Sequence, residues 1–191
     1  MLGENASVIH LEIKKGAIYR YNGKDQEPTR FNFVTGIITK LRYQLKEIKN
    51  AKIPFMYIDL YDPESGEKYD VQTPIFKGAG PNILMSLKSA IDTMGGIKDK
   101  VVKISAYTKT KNDIDYTNAV VYLGDQKLSW AQLPANVKAA DALKDIFDEI
   151  NAHVVEETGA AADGVDAPSA DYEEPDSEDI PEGTYNPFEK S

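Results

Sequence analysis

A chain of 191 residues, 41% hydrophobic and without a cysteine, is long enough for one cored domain plus appendages, and it excludes disulfides, thiolate nucleophiles and cysteine metal sites. No apolar run approaches the roughly 18 residues of a membrane span, and MLGENASVIHLEIKK lacks the basic start and apolar block of a signal peptide. A cytoplasmic setting with no membrane partner is therefore expected.

The first segment, VIHLEIKKGAIYRYNGK (8–24), has the pattern of a β-hairpin, and residues 1–30 are read as an N-terminal β extension. FNFVTGIITKLRYQLKEI (31–48) reads as a long strand in which Gly36 predicts a bulge or sharp coil. IPFMYIDLYD (53–62) alternates, with Met56, Ile58 and Leu60 on one face and Phe55, Tyr57, Asp59 and Tyr61 on the other. PESGE (63–67) predicts a turn and KYDVQTPIF (68–76) a third strand. Gly78-Ala79-Gly80 lacks the lysine and remaining glycines of a nucleotide fingerprint, so it is read as a connector into a helix over 82–94 that Gly95-Gly96 stops. KVVKISAYTKT (100–110) and NAVVYLGD (118–125) predict strands four and five, joined by the polar loop KNDIDYT (111–117). Trp130, just beyond them, is expected in the core or against a helix.

Residues 31–134 thus form the expected main domain. AADALKDIFDEINAHV (139–154) follows, within a segment 135–156, and places Ala139, Leu143, Ile146, Phe147, Ile150 and Val154 at helical spacing. That stripe is suited to dock on the body or to pair with another copy, which makes a homo-oligomer an open expectation. From about Gly159 the text is small, acidic and proline-dotted, so residues 157–191 are expected to be disordered.

The net charge of −9 is divided along these lines: residues 151–191 hold one lysine against 12 acids, whereas 14–134 hold 19 basic and 13 acidic residues. A mildly basic body with an acidic tail often accompanies nucleic-acid binding.

Three strands, a helix and two further strands, the first strand long and coiled, is the order of the five-stranded OB-fold barrel. Taken with the polar loop 111–117 and the acidic tail, this order resembles single-stranded-DNA-binding proteins, particularly the compact phage-encoded kind. The resemblance covers roughly 31–130 and 171–191. It implies a protein that coats single-stranded DNA in replication, recombination and repair, in a bacterial or infected-host cytoplasm.

Such proteins bind through a basic groove with aromatic faces for base stacking. The candidate residues are Lys40, Arg42, Tyr43 and Lys46 on the first strand and Phe55, Tyr57 and Tyr61 on the second. Lys103, Tyr107, Lys109 and Lys111 follow on the fourth strand and its loop. Lys40, Arg42 and Lys46 share one parity, and Tyr43 lies on the other unless a bulge shifts the frame.

The bacterial family ends in an acidic stretch closing on Asp-Ile-Pro-Phe, whose tip docks replication and repair proteins. Here Asp176, Glu178 and Asp179 lead into Ile180-Pro181, and Tyr185, Pro187 and Phe188 come after a detour. An apolar pocket with a basic rim would suit this tip. In the family the phenylalanine is terminal, whereas here Glu189-Lys190-Ser191 follow it.

His10 and His153 lie far apart, and Asp113 and Asp115 lack the glycine and distal glutamate of a calcium loop. No catalytic constellation, metal site or cofactor is expected. The competing reading is an OB-like protein-interaction or structural module that binds no nucleic acid.

Overall fold

The computed structural model describes residues 7–23 and 26–155. In chain order these form β1 (Val8–Lys14), β2 (Ala17–Arg20), β3 (Thr29–Phe31), β4 (Phe33–Ile48), β5 (Ala51–Tyr61), β6 (Lys68–Pro74), α1 (Ala79–Met94), β7 (Val101–Lys111), β8 (Ile114–Leu123), β9 (Gln126–Lys127) and α2 (Ala139–Val155). The strands make one mixed sheet ordered β3-β2-β1-β6-β5-β4-β7-β8-β9, in which only β1 and β6 pair in parallel.

Three of its hairpins close through two-residue turns with both φ angles positive: Lys15-Gly16, Lys49-Asn50 and Asn112-Asp113. This is the type I′ geometry, whose twist matches that of the strands it joins. The third turn corrects one expectation. The polar stretch 111–117 is not a loop, because β7 runs to Lys111 and β8 restarts at Ile114. Tyr and Thr favour strands, and Thr110 Oγ1 donates across the ladder to Asp115 Oδ1 at 2.6 Å. The polarity of this stretch reflects its exposure on both faces of a projecting hairpin.

The strand–helix order expected of 31–130 is present, with β4 pairing β5 and β7 so that the five strands run β6-β5-β4-β7-β8. A β6–β8 pairing, which would close those five on themselves, is not among the pairs of the described residues. The β6 edge takes β1 instead, with Leu11 opposite Val71. The front hairpin is accordingly part of the main sheet, with Ala17 and Ile18 fully buried. Its turn meets the β7–β8 hairpin: the Gly16 N–H donates to Thr117 Oγ1 at 3.1 Å, and a Cβ on Gly16 would fall 2.0 Å from Thr108 Oγ1.

Core side chains come from one face of this sheet, including Ile38 and Leu41, Met56, Ile58 and Leu60, Val102 and Ile104, with Leu11 and Ile18 from the front hairpin. Helix α1 covers them with Ile83, Leu84 and Leu87, and begins three residues earlier than the sequence suggests. Gly80 lets it start so close to β6, since a Cβ there would sit 2.0 Å from the Pro74 carbonyl oxygen. Gly95, at φ 69°, ends it.

The α2 stripe is occupied within the chain. Leu143, Ile146, Phe147, Ile150 and Val154 are buried in the common core, and α2 packs on α1 and β4. Asn151 Oδ1 accepts from the Leu41 N–H at 3.0 Å, and Lys88 reaches Glu149 at 3.2 Å. Each fully buried Leu, Ile or Phe of such a stripe contributes about 1.5–3 kcal/mol, which explains why it is spent on the body.

Trp130 departs from expectation, being half exposed. Leu128 takes the buried place, while the Ala131 N–H ties the segment to the Met85 carbonyl at 2.9 Å. No helix among the described residues is long and apolar enough to cross a membrane.

Candidate nucleic-acid interface

The sheet face opposite the core is set by an irregularity in β4. Ile38 pairs with Leu60 and Lys40 with Asp59, so Thr39 is an extra residue in the strand. A β-bulge of this kind reverses which parity faces inward. Val34 and Ile38 point to the core before it and Leu41 after it. Phe33, Thr35 and Ile37 therefore share the outer face with Lys40, Arg42, Gln44 and Lys46. Gly36 is not the bulge site: its missing side chain admits the end of β5, with Leu60 Cβ and the Tyr61 carbonyl oxygen each 3.0 Å from where a Cβ would stand.

Two halves of this face differ in chemistry. In the β4–β5–β6 half, Phe55 and Tyr57 point away from the core yet are only 5% and 8% exposed, because basic side chains lie over them. Lys46 Nζ stands 4.8 Å from the Phe55 ring centre and 5.3 Å from that of Tyr57, and Arg42 Cζ is 5.2 Å from the Tyr57 ring. The Tyr57 hydroxyl donates to Gln44 Oε1 at 2.8 Å, and Lys46 donates to Gln72.

Arg42 donates to both oxygens of Asp59, through Nη2 at 2.6 Å and Nε at 3.0 Å. Its Nη2 also lies 3.1 Å from Asp70 Oδ1. The Asp59 hydrogen bonds push the Arg42 pKa further above its already high value. His10 Nδ1 meets the other Asp70 oxygen at 3.0 Å. Arg42 and Lys46 thus have internal partners, and a base could reach the Phe55 or Tyr57 ring only by displacing them.

The β5–β4–β7–β8 half is open. Phe33 is 55% exposed, Tyr61 39% and Tyr107 38%, one on each of three adjacent strands. Lys103 Nζ stands 4.4 Å from the Tyr122 ring centre and 5.9 Å from that of Phe33. Phe33 is opposite Ser105, which sets Tyr107 diagonally from it, at the roughly 7–8 Å of such neighbours. Lys109 and Lys111 continue along β7 toward the hairpin tip, opposite Tyr116 and Ile114. This half combines exposed ring faces, a central ammonium and a basic extension, which is the chemistry needed to stack bases and meet phosphates.

Of the residues expected to bind, Lys40, Arg42, Lys46, Phe55, Tyr57, Tyr61, Lys103, Tyr107, Lys109 and Lys111 fall on this one outer face. Tyr43 does not: it pairs with Met56 on the inner face and packs against the core, where burial raises its pKa. Asp176, Glu178, Asp179, Ile180, Pro181, Tyr185, Pro187 and Phe188 lie outside the described residues. Sequence reasoning passed over Phe33 and Tyr122. The alternation of Val121 with Tyr122 marks the second, whereas only the bulge brings Phe33 onto the same face as Lys40.

A further basic–aromatic group sits on the front hairpin, where Lys14 Nζ stands 4.7 Å from the Tyr21 ring centre and the Tyr21 hydroxyl donates to Glu12 Oε2 at 2.9 Å. Among the described residues no cluster of three His, Asp or Glu is arranged to hold a metal. Compared with known proteins, the chain matches no family model, no curated protein and no solved structure.

Proposed function

We propose that this protein binds single-stranded DNA across the outer face of its sheet, on an OB-like body, and acts by binding rather than catalysis. The observation that carries the reading is the outer face with Phe33, Tyr61 and Tyr107 exposed on three adjacent strands and Lys103 beside Phe33 and Tyr122, continued by Lys109 and Lys111. Base–aromatic stacking tolerates any sequence because every base has a π-face, so the strand is coated largely without regard to sequence. In replication, recombination and repair the acidic segment 157–191 recruits partner proteins, with Ile180 and Phe188 as apolar anchors and Asp176, Glu178 and Asp179 as charges for a basic rim. The setting proposed is a bacterial or infected-host cytoplasm.

A mobility-shift comparison of single-stranded DNA, double-stranded DNA and RNA tests this directly. The single strand should shift at the lowest protein concentration. Equal shifts with duplex DNA would oppose the stacking account, because paired bases cannot lie on the rings.

A second reading, an OB-like protein-interaction module that binds no nucleic acid, is favoured by the internal pairing of Arg42 and Lys46 over Phe55 and Tyr57. It is upheld if none of the three probes shifts. Cutting the chain after residue 158 separates the roles of the tail: DNA binding should tighten as an internal polyanion is lost, and partner recruitment should vanish.

A further inference from the structure

A cavity of about 260 Å³ opens where β1, β2 and β3 meet the start of β4 and β6. Leu11 is its buried base, Phe31, Phe33 and Tyr69 are its aromatic walls, and Arg20 and Glu67 supply its charged groups. It is smaller than the roughly 300–1,000 Å³ clefts that take drug-sized ligands, and is scaled to a single planar group between rings. Phe33 belongs both to this cavity and to the platform beside Lys103. A strand crossing the platform can therefore turn one base into the cavity without leaving the surface.

The two charged groups carry the chemical argument. Among the described residues Arg20 has no ion-pair partner, so its donors remain available. Glu67 is positioned by Tyr69, whose hydroxyl donates to Oε2 at 2.5 Å, and Oε1 has no partner among the described residues. A carboxylate at the margin of a polyanion-binding face repels phosphate, so its favourable role there is to accept hydrogen bonds from a base edge. Unstacked bases of single strands are read in this way, by stacking plus contacts to their edges.

We infer that this cavity is a nucleobase subsite that prefers guanine. Guanine offers N1–H and the N2 amino group to a carboxylate and O6 with N7 to a guanidinium. Thymine offers a carboxylate one donor, while adenine and cytosine each offer a single amino group. Only guanine engages both charged groups with two contacts apiece. The inference rests on the proposed DNA-binding function and adds a local base preference to an otherwise sequence-tolerant surface.

The test is fluorescence anisotropy with labelled oligo-dT and with the same oligomer carrying one central guanine, adenine or cytosine, at fixed salt. The guanine oligomer should bind about tenfold more tightly than oligo-dT, the size of one bidentate base contact. Glu67→Gln and Arg20→Gln should each bring the guanine-to-thymine affinity ratio to one, Glu67→Gln tightening and Arg20→Gln weakening oligo-dT itself only as far as the change of charge beside the phosphates requires. A ratio that stays near ten in both variants overturns the subsite. Equal affinity of all four oligomers for the unaltered protein overturns the subsite and leaves the coating function standing. Binding to none of them overturns both. Free dGMP that binds more tightly than the guanine oligomer would reassign the cavity to a mononucleotide and overturn the strand-borne reading.

Discussion

Replacing Phe33 with alanine should separate DNA binding from folding. Full burial of a phenylalanine contributes about 1.5–3 kcal/mol, and this ring is 55% exposed, so its share of stability is about 1 kcal/mol. In a domain of this size that lowers the melting temperature by about 2–4 °C. A stacked base, by contrast, is worth roughly 1–3 kcal/mol, which is a roughly 5- to 150-fold loss in affinity. The long Lys103–Phe33 separation of 5.9 Å adds little to the stability term. Anisotropy with labelled oligo-dT, paired with a thermal melt, measures both quantities on the same preparation. Unchanged affinity in a folded Phe33→Ala variant would refute the claim that bases stack on this platform.

Other substitutions probe the rest of the face and its supports. Phe55→Ala should do the reverse of Phe33→Ala: removing a ring packed beneath Lys46 costs about 3–5 kcal/mol in chemical denaturation, with oligo-dT affinity of the folded protein unchanged. Gly16→Ala should destabilise by at least about 2 kcal/mol, because a left-handed backbone strains any Cβ and this one meets Thr108. Hydrogen exchange in β1 should quicken in that variant, and normal protection there would contradict the contact. Asp148 is an exposed residue, yet partial desolvation on α2 holds its carboxyl above the ordinary 3.8, with Lys144 opposing and Asp145 adding to the shift. The stability linked to its protonated form is complete below the ordinary value and is lost as pH rises through the folded one. Asp148→Asn should therefore give a small gain in melting temperature at neutral pH and none in acid below that value.

Much of the architecture could be read locally. The period-two alternation of Met56, Ile58 and Leu60 predicted an inner face of β5, and the 3.6-residue spacing of Leu143, Ile146, Phe147 and Ile150 predicted an amphipathic helix. Both signals arise within a few residues of chain. What escaped depends on contacts between distant segments. Nothing around Thr39 marks an inserted residue, so the shared face of Phe33 and Arg42 was hidden, and Gly36 drew attention to the wrong place. The parallel pairing of β1 with β6 joins residues 60 apart, such as Ile9 and Tyr69, and leaves no local pattern.

The candidate site shows the same division. Parity placed Phe55 and Tyr57 on the outer face correctly, but parity does not report what covers a ring. Their capping by Arg42 and Lys46 arises across the strand pair, and it shifts the exposed aromatic surface to Phe33, Tyr61 and Tyr107. Arg20, Phe31 and Glu67 come together only because the front hairpin folds into the sheet, so no spacing in the sequence could have grouped them.

The proposed role of the outer face is to hold single-stranded DNA, with bases on its exposed rings and phosphates on its basic extension. Its most direct test is the salt dependence of oligo-dT affinity measured on the full chain. Binding should be measurable at low salt and weaken linearly on a log–log scale, with a slope of about −0.7 for each phosphate neutralised. If Lys103, Lys109 and Lys111 each meet one phosphate, three contacts give a slope of about −2. An absence of binding at low salt, or an affinity indifferent to salt, would contradict it.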